Sequence, residues 1–322
     1  MKKILIIRFS SIGDIVLTTP VIRCIKEQKP EIEIHYLTKK SFKGILEHNP
    51  YLSKIHTIEK DIKEIGTELK QENFDYVIDL HNNLRSLQTK RIIGKPSSSF
   101  KKLNFKKWML VNLKINCLPK KHIVDRYFET VSHLGVKNDL KGLDFFIDAK
   151  NEVAISSLAK EYQNGFIAFV IGAKHNTKKL PDEKIISICK KLNRPVILIG
   201  GKEDFETGEK IEANVKKQEP RIINAYGNYN LQQSASLIKQ SEKVITHDTG
   251  MIHIAAAFHK KIISVWGSTV PELGMYPYMP GKESKIVEVK NLSCRPCSKI
   301  GFEKCPKGHF KCMNEIDENL CL

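Results

Sequence analysis

Short runs of branched apolar residues alternate with helix-length amphipathic segments, first through Leu80 and again from Phe166 onward. Lys3 to Phe9, Glu31 to Leu37 and Phe74 to Leu80 read as strands, with a helix from Gly13 to Gln28 between the first two. The pattern restarts with strands at Phe166 to Ile171, Pro195 to Ile199, Arg221 to Asn224, Lys243 to Thr246 and Lys261 to Val265. Helices at Asp182 to Leu192, Phe205 to Lys217, Leu231 to Gln240 and Met251 to Phe258 separate them. Strands without a polar face need cover on both sides, so each half predicts a parallel sheet between helix layers. The chain therefore reads as an α/β protein of two doubly wound, Rossmann-like domains facing across a cleft. The seam is expected between Asp148 and Gly165, giving domains 1–155 and 156–322, with a helix over Asn151 to Gln163 crossing between them.

Length and composition agree with that reading. The 322 residues have room for two domains, and 41% hydrophobic with 28% charged residues excludes a disordered tail or a collagen-like chain. The start, Met1-Lys2-Lys3 and then Ile4 to Ile7, imitates a secretory signal, but Arg8 ends the apolar run and no cleavage pattern follows. No run is long enough to span a membrane. A cytoplasmic location in a reducing compartment, with peripheral contact to the inner membrane, is the expectation.

The 53 basic against 36 acidic residues give a net charge of +17, which favours anionic partners. Ten of those cations, and no carboxylate, lie between Lys90 and Lys121. Phe100, Leu103, Phe105, Trp108, Met109, Leu110, Val111 and Leu113 interleave with them. That pattern fits either a basic amphipathic helix on an anionic membrane or an ordinary solvated helix packed by its apolar side. No nucleic-acid-binding signature accompanies the charge, so nucleic acid is not an expected partner.

Ligands of open α/β sheets bind beyond the carboxyl ends of the strands, which directs attention to three loops. In Arg8-Phe9-Ser10-Ser11-Ile12-Gly13-Asp14 a strand enters a small-residue turn, where Ser10, Ser11 and Gly13 offer backbone amides to an anion or a hydroxyl-rich ligand. Asp14 in the first helical turn serves either as a capping carboxylate or as a catalytic one. In Thr246 to Ala257, amides at Thr249, Gly250 and Met251 can hold a diphosphate, and His253, projecting from the same first turn, is either a further donor-binding residue or a satisfied structural histidine. Gly172-Ala173-Lys174 and Lys178-Lys179-Leu180-Pro181 follow the first strand of the second half, and Gly200 to Asp204 offers carboxylates for ribose hydroxyls. Neither a G-x-G-x-x-G nor a G-x-x-x-x-G-K-[ST] motif is present, which removes support from dehydrogenase and P-loop readings.

Together, RFSSIGDIVLTTP, the KxxP element at Lys178 to Pro181, GG-x-E at Gly200 to Glu203, and HDTGMIHIAAA followed by Val265 to Thr269 resemble glycosyltransferase family 9, the lipopolysaccharide heptosyltransferases. The resemblance implies a GT-B fold, an acceptor-binding first domain and a nucleotide-sugar-binding second one. It implies inverting, metal-independent transfer of a heptose from ADP-heptose to a phosphorylated lipid A core. By the same resemblance Asp14 is the general base and Lys178 stabilises the departing diphosphate. Asp248, Thr249, Gly250 and Met251 hold donor phosphates and sugar, and Glu203, with Asp204 as competitor, takes the ribose. Leu180 departs from the family's frequent aromatic residue, and the segment from Gly267 to Pro280 departs from its commoner loop. A UDP- or GDP-sugar enzyme on the same scaffold is the alternative.

Cys294, Cys297, Cys305 and Cys312 crowd near the end, with His309 among them. A compact loop can gather four thiolates around a structural zinc ion. Reduced thiols and disulfides are the other readings.

Overall fold

The computed structural model describes residues 2–216, 222–225 and 227–322. Met1, Lys217 and Arg221, which the sequence reading placed at the chain start, a helix end and a strand start, lie outside them. The chain forms two compact units, residues 1–102 with 121–146, and 103–120 with 147–322.

The first unit is built on five parallel strands, β1 (Lys3–Ile7), β2 (Glu33–Lys39), β3 (Lys54–Ile58), β4 (Tyr76–Asp79) and β5 (Ser97–Ser99), in the order β3-β2-β1-β4-β5. Ile4 to Ile7 in the central strand are fully buried, as a strand covered on both faces requires. The second unit holds six parallel strands: β6 (Ile167–Val170), β7 (Val196–Ile199), β8 (Ile222–Asn224), β9 (Lys243–His247), β10 (Lys261–Trp266) and β11 (Lys285–Glu288). Their order is β11-β10-β9-β6-β7-β8. Strand order reverses between β1 and β4 in one sheet and between β6 and β9 in the other. Loops leaving those strands diverge at the carboxyl edge and leave a crevice for a ligand.

The helix expected from Gly13 to Gln28 is two helices, Ile12–Val16 and Thr19–Gln28. Pro20 stands in the first turn of the second, where its missing N–H costs nothing. The hydroxyls of Thr18 and Thr19 donate to the carbonyls of Ile15 and Val16 at 2.7 Å each, satisfying acceptors at the break. Behind it, buried Arg23 makes a bidentate pair with Asp139 at 2.8 and 2.9 Å and a further ion pair with Asp144. Asn151 to Gln163 is likewise not one helix. Single turns at Ala149–Asn151 and Ile155–Ser157 precede a short helix at Lys160–Gln163.

The basic stretch from Lys90 to Lys121 is not a continuous helix either. It contains the end of a helix at Leu84–Ile93, strand β5, a helical turn at Asn104–Trp108 and a wider π turn at Met109–Leu113. Residues 103–120 pack within the second unit, where Leu110 and Leu118 meet Val270 and Leu273. Lys114 Nζ donates to the carbonyls of Cys294 at 3.1 Å and Pro296 at 2.7 Å. Phe105, Trp108 and Leu113 stay exposed, and the rings of Phe105 and Trp108 stack 6.1 Å apart.

Candidate active site

In the first unit, the loop after β1 carries Ser10, Ser11, Gly13 and Asp14 to the point where strand order reverses. Asp14 Oδ1 lies 2.5 Å from Arg8 Nη2, and Asp14 Oδ2 accepts from Ser11 Oγ at 2.8 Å and Ser11 N at 3.2 Å. The carboxylate thus reaches back to the residue before its own helix, as a capping carboxylate does, while keeping 19% of its side chain exposed. Arg8 is itself fixed by the carbonyls of Leu80 at 2.6 Å and Ser10 at 2.9 Å. A buried guanidinium with carbonyls on two sides holds Asp14 at one rotamer. That role for Arg8 was not legible in the sequence, because Leu80 lies far along the chain.

The loop after β4 adds a second group. Buried Asp79 receives Lys90 Nζ at 3.0 Å and Ser86 Oγ at 2.8 Å, and its Oδ1 accepts from the backbone of His81 and Asn82. Burial, with the charges of Arg8 and Lys102, pushes His81 down to about 4, so the imidazole is neutral at physiological pH. Asp14 is within electrostatic range of it, and the sequence reading did not single His81 out.

The second unit brings together the loops after β6 and β9. Lys178 Nζ lies 2.6 Å from Asp248 Oδ2 and 3.1 Å from the Asp248 carbonyl. Thr269 Oγ1, from the loop after β10, donates to the same Asp248 Oδ2 at 2.7 Å. Thr249 caps the helix Gly250–Ala257, its Oγ1 accepting from Met251 N at 3.2 Å. A helix start leaves its first amides directed outward and carries partial positive charge. Lys178, Thr249, Gly250 and Met251 therefore form one cationic, donor-rich corner suited to phosphate oxygens. His253, one turn on, is 2% exposed and packed into the protein.

Neighbouring residues brace this corner. His247 Nε2 accepts from Leu180 N at 3.0 Å, and burial beside Lys179 pushes His247 down to about 3, so the ring is a neutral tie between β9 and the KxxP loop. Lys179 Nζ pairs with buried Asp204 at 2.6 Å, and Asp204 Oδ2 accepts from Gly201 N at 2.9 Å. A Cβ on Gly172 would lie 2.2 Å from that Asp204 oxygen, so only glycine fits there. Of the two carboxylates considered for the ribose, Asp204 is thus committed to packing, whereas Glu203 is exposed. Ala173, next to Gly172, is half-buried at the mouth of the loop.

The cysteine-rich tail wraps the same loops. Arg295, between Cys294 and Cys297, donates to the carbonyls of Gly267 at 2.7 Å and Thr269 at 3.0 Å and pairs with Glu288 at 2.9 Å. Thr177 exchanges hydrogen bonds with the backbone of Phe302 and meets Ser268 Oγ at 2.9 Å. All eight cysteines are free. Burial pushes Cys297 up to about 11 and Cys312 up to about 12, each raised further by neighbouring thiols of the cluster. Cys294 Sγ lies 3.9 Å from His309 Nε2. No three of the four sulfurs converge within 4.8 Å, whereas among the described residues His35, His56 and Glu72 do so.

The model of glycosyltransferase family 9 (heptosyltransferase) matches residues 62–305. The chain belongs to glycosyltransferase family 9.

This family 9 chain is similar to lipopolysaccharide heptosyltransferase 1 of Campylobacter coli, with 28% identity over 292 residues covering 83% of this chain and 84% of the relative. It is similar to the lipopolysaccharide core heptosyltransferase OpsX of Haemophilus influenzae, at 25% identity with 86% and 79% covered. Among solved structures, a family 9 glycosyltransferase from Veillonella parvula aligns with a TM-score of 0.79 at 20% identity, covering 99% of this chain and 94% of that one. The ADP-heptose lps heptosyltransferase II of E. coli aligns with a TM-score of 0.71 at 20% identity, covering 97% and 98%. The fold of this glycosyltransferase is accordingly GT-B, two Rossmann-like α/β domains. Among its described residues no helix is long and apolar enough to cross a membrane.

Proposed function

We propose that this glycosyltransferase moves a heptose from ADP-heptose to a hydroxyl of a lipopolysaccharide core acceptor, with inversion at the anomeric carbon and without a metal ion. The observation that carries the reading is the Lys178–Asp248 pair beside the Thr249-capped helix, at the reversal point of the second sheet. A leaving nucleoside diphosphate gains negative charge as the glycosidic bond breaks, and a lysine with helix-start amides supplies the opposing charge. Solved relatives of the fold include E. coli heptosyltransferase WaaC bound to ADP and to ADP-2-deoxy-2-fluoro heptose.

On this reading the domain 1–155 takes the acceptor and the domain 156–322 the donor. Asp14 removes the proton from the acceptor hydroxyl as that oxygen attacks the anomeric carbon, and Ser10, Ser11 and Gly13 line its approach. Lys178 stabilises the departing diphosphate. Thr249, Gly250 and Met251 hold its oxygens, Gly172 and Ala173 join them in the donor site, Asp248 fixes Lys178, and Glu203 accepts from the ribose. His253 sits behind the helix start and supports it. Incubation with ADP-, UDP- and GDP-heptose and a heptose-free core acceptor tests the reading. Product with the ADP donor alone supports it, and turnover with only a UDP or GDP donor overturns the donor assignment.

The exposed Phe105–Trp108 pair flanked by Lys106 and Lys107 supports peripheral attachment to an anionic membrane, consistent with a lipid-linked acceptor and a cytoplasmic enzyme. Sedimentation with anionic vesicles at low salt, lost in Trp108→Ala with Phe105→Ala, tests this, and equal sedimentation of both proteins refutes it. The thiols of Cys294, Cys297, Cys305 and Cys312 do not converge as a tetrahedral zinc site requires, so the expected structural zinc does not fit the cluster. Metal analysis of the purified chain against a Cys294→Ser, Cys297→Ser variant tests it.

A further inference from the structure

His35 and His56 are the third residues of β2 and β3 and project from the same face of the first sheet, where both pack edge-on against Phe74. His35 Nδ1 lies 2.9 Å from His56 Nε2. The outer nitrogen of each ring meets a carboxylate, His35 Nε2 with Glu33 at 2.7 Å and His56 Nδ1 with Glu68 at 2.8 Å.

Ionised carboxylates only accept hydrogen bonds, so both outer nitrogens carry the hydrogens. A neutral imidazole has a single N–H. With both rings neutral, the two inner nitrogens turn bare lone pairs toward each other at 2.9 Å, an arrangement that is repulsive unless a proton or a metal cation lies between them. The third wall of the space is Glu72, whose Oε2 lies 3.7 Å from His35 Nδ1 and whose Oε1 lies 4.0 Å from His56 Nε2, one oxygen facing each ring. Zinc bound tetrahedrally at about 2.0–2.2 Å sets its ligand atoms roughly 3.3 Å apart. The observed separations of 2.9, 3.7 and 4.0 Å bracket that value.

The surroundings fit as well. Histidines that bind metal commonly donate their other N–H to a carboxylate, which is the role Glu33 and Glu68 have here. Lys3 and Lys54 hold the Glu72 carboxylate at 3.0 and 2.6 Å, orienting it and leaving this group of three carboxylates and two lysines one net negative charge.

We propose that His35, His56 and Glu72 form a binding site for a divalent cation of the zinc class, which ties β2, β3 and the end of the helix Gly66–Gln71 together. Two imidazoles and one carboxylate suit zinc or iron(II) and disfavour magnesium and calcium. The site belongs to the first unit and is separate from the Asp14 loop and from the cysteine cluster.

The test uses the full chain carrying Cys294→Ser and Cys297→Ser, labelled with 15N at histidine, stripped of metal and titrated with zinc chloride. The expected result is that the ring resonances of His35 Nδ1 and His56 Nε2 move together and saturate at one equivalent. A Glu68→Gln variant, which keeps an acceptor but loses the charge, should bind at least about tenfold more weakly. Thermal unfolding of the metal-loaded chain should move up by several degrees. Inner nitrogens that stay unmoved in excess zinc, with a hydrogen found shared between them, would overturn the proposal and leave the pair as a proton-bridged core contact.

Discussion

Lys178 Nζ lies 2.6 Å from Asp248 Oδ2, joining the loops that leave β6 and β9, the two strands between which the second sheet reverses its order. The pair, neutral as a whole, sets the Lys178 ammonium beside the outward amides of the Gly250–Ala257 helix, and Thr269 fixes the carboxylate from a third loop.

Replacing Lys178 by Ala removes the ammonium that, on the proposed function, faces the departing diphosphate. Steady-state kinetics should show kcat down by about 10²–10³-fold with circular dichroism unchanged, the magnitude associated with one lost stabilising donor. Lys178→Arg should recover part of it.

Thr269→Val deletes one hydrogen bond to Asp248 and leaves Lys178 in place. A bond of this kind contributes about 1 kcal/mol, so KM for the donor should rise several-fold while kcat changes less. Equal losses in both constants would place Thr269 nearer the reacting atoms.

Arg295→Met keeps the length of the side chain but strands the carbonyls of Gly267, Thr269 and Val289. Leaving such acceptors buried costs about 2–4 kcal/mol, which denaturant unfolding should register as a lower midpoint. Donor affinity should fall with it, because the Thr269 loop loses its clasp.

Acid stability is set in part by Arg23. Burial alone would push Asp139 up, but the hydrogen-bonded Arg23 guanidinium and the Lys141 N–H outweigh it and bring Asp139 down to about 2. A carboxyl held lower in the folded chain than in the unfolded one stabilises the fold above pH about 4, and that stabilisation fades as pH falls towards 2. Its size is on the order of 2 kcal/mol. Urea unfolding of Asp139→Asn should therefore show a deficit at pH 6 that narrows towards pH 2.

The buried strands were legible because burial on both faces forces continuous apolar runs, as in Ile4 to Ile7 and Val196 to Ile199. Of the edge strands, β8 was anticipated and the other three were not. β3 carries Lys54, His56 and Thr57, β5 is three serines, and β11 begins on an exposed lysine, since an edge strand has one partner and part of it meets solvent. The break before Pro20 was hidden because each half of the expected helix keeps its own apolar stripe. The loops bearing Asp14, Lys178 and Asp248 were found by their position after strands. The residues that brace them, Arg8, His247, Asp204 and Arg295, act through contacts across the fold that no local pattern announces. The Lys90–Lys121 stretch misled in the same way, as Leu110 and Leu118 are spent on packing against Val270 and Leu273 and only part of the apolar set remains outside.

On the proposed function Asp14 serves the acceptor and leaves donor binding to the second unit. Transfer rate and ADP affinity measured side by side for Asp14→Asn test it directly. The expected result is a kcat loss of about 10²–10⁴-fold with the ADP dissociation constant unchanged. Near-normal transfer, or loss of ADP binding by a folded variant, would contradict it.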